Sequence, residues 1–235
     1  MAPRIGVVVF PGSNCEYDVV QAVQWLGAEG ALLWHADTSV GALGAVGAVD
    51  AVDAVVLPGG FAHGDYLRPG ALARFSPIMD AVTQFAQRGG PVVGICNGFQ
   101  VLTEAGLLPG ALQKNSRLRF LCQPTRLRVT STASVLTGSA AVGDELVLPI
   151  NHFSGSYVCD DETLRELNGQ GRVVLRYVDN PNGSVDDIAG IANASGNVVG
   201  LMPHPERASH PLLGSEDGAI LLRSLLDAAG AAAAA

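Results

Sequence analysis

In Pro91-Val-Val-Gly-Ile-Cys-Asn-Gly-Phe-Gln100 a short apolar run breaks at a cysteine that has glycine two residues away on either side. Val92, Val93 and Ile95 read as a buried strand. From Asn97 to Ala105 the apolar residues recur at helical spacing until Gly106 and Pro109 stop them. Cys96 therefore lies on a strand-to-helix corner. Gly94 and Gly98 remove the side chains that would collide at so sharp a turn, which leaves the central side chain presented. The unpaired N–H groups and partial positive charge of the helix N-terminus would favour thiolate over thiol. A lone cysteine at a strand end also fits a small buried hydrophobe, so a nucleophile requires a base elsewhere in the chain.

A candidate base lies in Gly200-Leu-Met-Pro-His-Pro-Glu-Arg207. Pro205 disfavours a helical conformation at His204, so His204 and Glu206, two residues apart, can project to the same side. A carboxylate that holds an imidazole fixes its tautomer and supports the imidazolium. Cys96, His204 and Glu206 then form a nucleophile, base and orienter.

The chain is long enough for one large α/β domain: 235 residues, 48% hydrophobic. We expect a single domain over 1–235, with an alanine-rich tail over about 228–235 whose end frays. A net charge of −8 argues against nucleic-acid and membrane-surface partners, both of which favour a basic face. The four cysteines, at 15, 96, 122 and 159, show no Cys-x-x-Cys pair and no histidine at metal-ligand spacing, so no metal is expected. Free thiols, a first apolar run too short for a signal sequence and no run of about 20 apolar residues point to the cytoplasm.

Taken in order, Ile5–Phe10 reads as a strand and Glu16–Leu26 as a helix capped by Ser13 or Asn14, with Cys15 as a packing residue. Ala31–His35 is a second strand, and the low-complexity stretch 41–50 a weak helix or connector. A third strand, Ala54–Leu57, ends in Pro58-Gly-Gly-Phe61. The backbone N–H groups of Gly59, Gly60 and Phe61 would form half of an oxyanion hole and Asn97 N–H the other half. His63-Gly-Asp-Tyr-Leu-Arg68 is a polar, aromatic loop, either a lid or docking surface or simply a solvated connection. A helix follows from near Ala71 to Arg88, interrupted at Pro77.

After Gly110 the strands come close together, at Phe120–Gln123, Leu127–Ser131 and Glu145–Ile150, so this part should be antiparallel or mixed. Five of the 14 basic residues fall between Lys114 and Arg128, a pattern that fits a solvated strand face. Asn151–Tyr157 reads as a polar loop, Asp161–Leu167 as a helix, and Val173–Val178 as a strand. Ile188–Asn193 and Val198–Met202 read as a hairpin, and Ile220–Ala229 as the closing helix.

Gly94-Ile-Cys-Asn-Gly-Phe-Gln100, Pro58-Gly-Gly-Phe61 and His204-Pro-Glu206 together resemble the class I, triad-type glutamine amidotransferases. Phe10-Pro-Gly-Ser-Asn-Cys15, Gly64-Asp-Tyr-Leu-Arg68, Ala73-Arg-Phe-Ser76, Thr103–Gly110, Asn180-Pro-Asn-Gly-Ser184 and Met202–Arg207 narrow the resemblance to the glutaminase subunits of phosphoribosylformylglycinamidine synthases. The resemblance implies a flavodoxin-like α/β fold, with a mostly parallel central sheet flanked by helices and an added antiparallel or mixed portion. It implies Cys96 as nucleophile, His204 as base and acid, and Glu206 as orienter. Gln100, His152 and Phe153 are candidate contacts to the glutamine head group.

The chain has no Gly-x-x-x-x-Gly-Lys-Ser/Thr loop, and Lys114 is its only lysine. No cofactor is therefore expected on this chain. ATP and Mg²⁺ would act on a large synthetase subunit, joined by a small accessory subunit. Ala62-His63 and His152-Phe-Ser-Gly155 depart from the commoner Ser-Tyr and His-Gly-Glu-Gly of that family. The alternatives are an amidotransferase subunit for another acceptor, a stand-alone amide hydrolase, or a non-catalytic thiol sensor of the same fold.

Overall fold

The computed structural model describes residues 2–39 and 52–233. The connector expected at 41–50 lies outside them. In chain order, β1 (Arg4–Val9), α1 (Glu16–Trp25), β2 (Glu29–Trp34), β3 (Ala54–Leu57), α2 (Ile78–Gln87), β4 (Val92–Ile95) and α3 (Asn97–Glu104) form the alternating first half. Strands covered on both faces need continuous apolar runs rather than alternation, and every residue of β3 and β4 is buried. Ile5, Val7 and Val8 of β1 are likewise fully buried. Each such side chain contributes about 1.5–3 kcal/mol relative to exposure.

The second half runs β5 (Ala111–Lys114), β6 (Leu121–Val129), β7 (Glu145–His152), β8 (Ser154–Val158), α4 (Asp161–Gly169), β9 (Val173–Tyr177), β10 (Ile188–Ala192), β11 (Val198–Leu201) and α5 (Asp217–Ala233). Among the described residues, nine strands form one sheet in the order β2-β1-β3-β4-β11-β10-β9-β6-β7, and β5 pairs with β8 alone. Pairings from β2 through β11 are parallel. From β11 to β7 they are antiparallel. This is the mostly parallel α/β sheet with an antiparallel extension that the resemblance implied.

β11 is the strand on which the site depends. It lies parallel to β4 with Val198 opposite Val92, Gly200 opposite Gly94 and Leu201 opposite Ile95. The facing glycines let α3 lie close to the sheet: a Cβ on Gly200 would stand 2.0 Å from the Phe99 ring, and one on Gly94 would stand 2.6 Å from the Gly98 backbone. At Gly98 a Cβ would come within 2.0 Å of the Leu57 carbonyl oxygen at the end of β3.

Several elements differ from the sequence reading. The cap of α1 is Cys15, with no side-chain hydrogen bond, and neither Ser13 nor Asn14 caps it. The helix expected from Ala71 begins at Ile78, after a short 3₁₀ turn over Ala73–Phe75. Pro77, read as an interruption, stands at its N-cap, where a fixed φ near −51° leads into the helix. The strands expected at Phe120–Gln123 and Leu127–Ser131 are one strand, β6. Pro124 sits within it opposite Pro149 of edge strand β7, at a point where the other side of β6 is unpaired, so its missing N–H interrupts no ladder there.

The polar loop expected over Asn151–Tyr157 is instead the end of β7 and most of β8, separated by Phe153 alone. β8 is held by β5, a strand that the local pattern did not reveal. The closing helix read over Ile220–Ala229 is longer at both ends, Asp217–Ala233, as alanine's high helix propensity favours toward its C-terminus. Of the basic run, Arg126 and Arg128 pair at the surface with Asp179 and Glu145.

Contact at Gly98 is with backbone and cannot relax by a rotamer change. Gly98→Ala is therefore expected to destabilise the fold by about 1–3 kcal/mol. Gly169→Ala, at the end of α4 with nothing within 4 Å of the new methyl, should be neutral or stabilising by up to about 1 kcal/mol. Urea unfolding midpoints of the two variants test the contrast.

Candidate active site

Because β4 and β11 run parallel with Ile95 opposite Leu201, the residues that follow them emerge side by side at the carboxyl edge of the sheet. Open α/β sheets bind their ligands at this edge. Cys96 is the first residue past β4, and its N–H donates to Leu201 O at 2.8 Å. It is a non-glycine residue at φ 51° and ψ −104°, the strained corner expected of a nucleophile elbow. Such a conformation costs about 1–3 kcal/mol, and the packing of α3 maintains it. Cys96 is 5% exposed, and its sulfur lies 3.8 Å from Asn151 O.

His204 stands three residues past β11, fixed by its N–H donating to Pro149 O at 2.9 Å. Its Nδ1 lies 2.6 Å from Glu206 Oε1, and both residues are 1% exposed. Nε2 makes no hydrogen bond. Burial disfavours the imidazolium, but the Glu206 carboxylate and then the Cys96 sulfur outweigh it, and the pKa of His204 is raised well above its usual value. The three residues expected to act together are thus brought together. The arrangement suits a thiolate beside an imidazolium whose other nitrogen is held by a carboxylate.

Cys15, read as a packing residue, is also buried in this cluster. Its sulfur accepts from Arg207 Nη2 at 3.1 Å, while Arg207 Nε donates to Asp18 at 3.0 Å. Donor atoms of Cys15, His204 and Glu206 lie within 4.8 Å of one another. Residues 15 and 204 are so far apart in the chain that spacing gave no sign of this. A Cβ on Gly59 would meet His204 Cε1 at 2.7 Å and the Cys15 sulfur at 3.1 Å, so glycine there makes room for the imidazole.

The oxyanion assignment divides. Phe61 N–H donates to Gly12 O at 2.9 Å and is not free to serve, which corrects the expectation for that residue's backbone. The N–H groups of Gly60 and Asn97 have no such partner among the described residues. Gly60 has φ +145°, and a Cβ there would clash at 2.8 Å with the Ser13–Asn14 backbone.

A pocket of about 530 Å³ opens onto Cys96 and is lined by Gly60, Phe61, Asp65, Gln100, His152 and Phe153 among others. Gln100 reaches the pocket wall, and its amide is held at both ends. Its Oε1 accepts from Asn97 Nδ2 at 2.8 Å, and its Nε2 donates to Ser154 O. Asn97 Oδ1 also accepts from Ala62 N–H at 2.9 Å, and its Nδ2 donates to Asp65 at 3.0 Å. The Asn97 side chain therefore ties the glycine loop to the helix, and Gln100 carries the connection on to Ser154 of β8. From sequence only its backbone stands out, because the loop that its side chain binds lies more than 30 residues upstream. The loop over 64–68 is braced by a two-pronged Arg68–Glu104 ion pair to α3.

His152 is buried, with Nδ1 3.0 Å from Asn115 Oδ1 and Nε2 unpartnered. Burial, and then the neighbouring His204 charge, pushes its pKa down to about 4 from 6.5. Between those pH values the unfolded chain takes up a proton that the folded chain refuses, so stability falls as pH drops through the window. His152→Gln should make that fall shallower, as read by urea midpoints across the same range. An unchanged slope would show that His152 protonates normally in the fold.

Residues 2–217 match the family model of the CobB/CobQ-like glutamine amidotransferase domain. The chain is 56% identical over 223 residues to the phosphoribosylformylglycinamidine synthase subunit PurQ of Rubrobacter xylanophilus, covering 95% of this chain and 97% of that one. It is 53% identical over 229 residues to the subunit of the same name from Mycobacterium tuberculosis, covering 97% and 98%. The solved structure of PurLQS from Thermotoga maritima holds a chain 43% identical with a TM-score of 0.86, covering 97% of this chain and 99% of that one. The chain belongs to the CobB/CobQ-like glutamine amidotransferase domain family, in its branch of phosphoribosylformylglycinamidine synthase PurQ subunits.

Proposed function

We propose that this chain hydrolyses L-glutamine to glutamate and ammonia and passes the ammonia to a large ATP-dependent synthetase subunit. That subunit uses it to convert formylglycinamide ribonucleotide to formylglycinamidine ribonucleotide in de novo purine synthesis. A small accessory subunit completes the complex, as the names PurLQS and PurQ of the relatives suggest for their own assemblies. ATP and Mg²⁺ act at the synthetase, and this chain works without a cofactor. The setting is the cytoplasm; among the described residues no helix is long and apolar enough to cross a membrane.

The observation that carries this reading is the parallel register of β4 and β11, which sets Cys96 beside a histidine whose Nδ1 is held by Glu206 at 2.6 Å. The Cys96 thiolate attacks the side-chain amide carbon of glutamine. The N–H groups of Gly60 and Asn97 receive the developing oxyanion, each contributing about 3–4 kcal/mol. His204 protonates the departing ammonia, and a water that His204 then deprotonates cleaves the glutamyl thioester to glutamate.

Cys96→Ala is expected to abolish glutamine-dependent synthesis in the assembled complex, while synthesis from added ammonium salts persists. Loss of both activities together would mark Cys96 as structural. Glu206→Gln should lower kcat for glutamine by on the order of 10²–10⁴-fold, since it orients the imidazole without touching substrate.

A further inference from the structure

Among the described residues, Asp65 is the one carboxylate on the wall of the pocket that ends at Cys96. One of its oxygens accepts from Asn97 Nδ2 at 3.0 Å, so it is held a single side chain away from the residue next to the nucleophile. Neither cation on the same wall neutralises it. Arg68 is held by Glu104 through both of its donor prongs, and Lys114 makes no ion pair among the described residues. Burial raises the Asp65 pKa to about 6, against the opposing hydrogen bond from Asn97. A partly desolvated carboxylate without a cation is unfavourable, and an ammonium group entering the pocket would relieve it.

The other candidate head-group residues cannot supply that charge. The Gln100 amide is engaged at both ends, and the His152 ring is neutral at physiological pH with Nδ1 on Asn115. A glutamine whose carboxamide carbon reaches the Cys96 sulfur must extend its amino-acid end outward along this wall.

Resting on the glutaminase reading above, we infer that Asp65 is the specificity residue for the α-ammonium group of glutamine. It sits in a loop that also carries the Gly60 oxyanion donor, and Asn97 ties that loop to the nucleophile corner. Recognition of the ammonium and positioning of the oxyanion donors are therefore mechanically linked.

The test compares two amides on the intact complex: glutamine, and glutaramate, which has hydrogen in place of the α-amino group. Wild type should prefer glutamine by roughly 100-fold or more in kcat/KM. Asp65→Asn should reduce that preference by at least about 10-fold, mainly through KM for glutamine. Should that variant fail to assemble, Asp65→Ser still accepts from Asn97 and is read in the same way. An equal loss on both amides, or a wild type indifferent to the α-amino group, overturns the assignment. A wild-type complex without glutamine-dependent turnover defeats the glutaminase reading itself, a separate outcome.

Discussion

Parallel pairing between β4 and β11 decides where the chemistry can occur. Neighbouring strands lie about 4.8 Å apart, and parallel strands release their chains at the same edge. With Ile95 opposite Leu201, the residues that follow each strand share one crevice, although the whole antiparallel extension of the sheet intervenes in sequence. A slip of one residue would turn every side chain of β11 to the opposite face. The all-apolar run Val198–Leu201, buried between helices, resists that less by alternation than by the fit of Gly200 beneath the Phe99 ring.

Around that register the site gathers features that each cost free energy. Cys96 adopts a conformation that L-residues avoid, Glu206 is a buried carboxylate, and Nε2 of His204 is buried without a partner. Each is sustained by structure built of ordinary apolar residues around it. The backbone N–H of Cys96 is tied to Leu201, His204 to Pro149, and the loop after β3 to the loop after β1 through Gly12 and to α3 through Asn97. The geometry of the site is thus a property of several elements together, and removing one tie shifts the others. The buried pair of His204 and Glu206 belongs to the same logic. Its value lies in holding an imidazolium beside a thiol, since a desolvated ion pair by itself adds little to stability.

Much of the first half was legible because its signals are local. The apolar run of β4, the glycines at 94 and 98 and the helical period of α3 all fall within a dozen residues. His204-Pro-Glu206 carries its own geometry in the proline. What local pattern missed was settled by distant partners. β5 and β8 are short and polar, and each is a strand because the other is there. Phe61 looked like an oxyanion donor until Gly12, on another loop, claimed its N–H. Cys15 looked like packing because its neighbours His204 and Arg207 lie at the far end of the chain.

From sequence alone came the alternation of strands and helices, the sharp corner at Cys96, the paired His204 and Glu206, and the family to which these belong. Those features follow from side-chain periodicity and from the φ limits of glycine and proline, which act over a few residues. Tertiary structure alone decided that β11 would lie against β4, that the Asn97 side chain would bind the loop of Ala62 and Asp65, and that Asp65 would face the pocket without a cation. Contacts of that kind depend on which surfaces meet after collapse, and no short-range pattern encodes them.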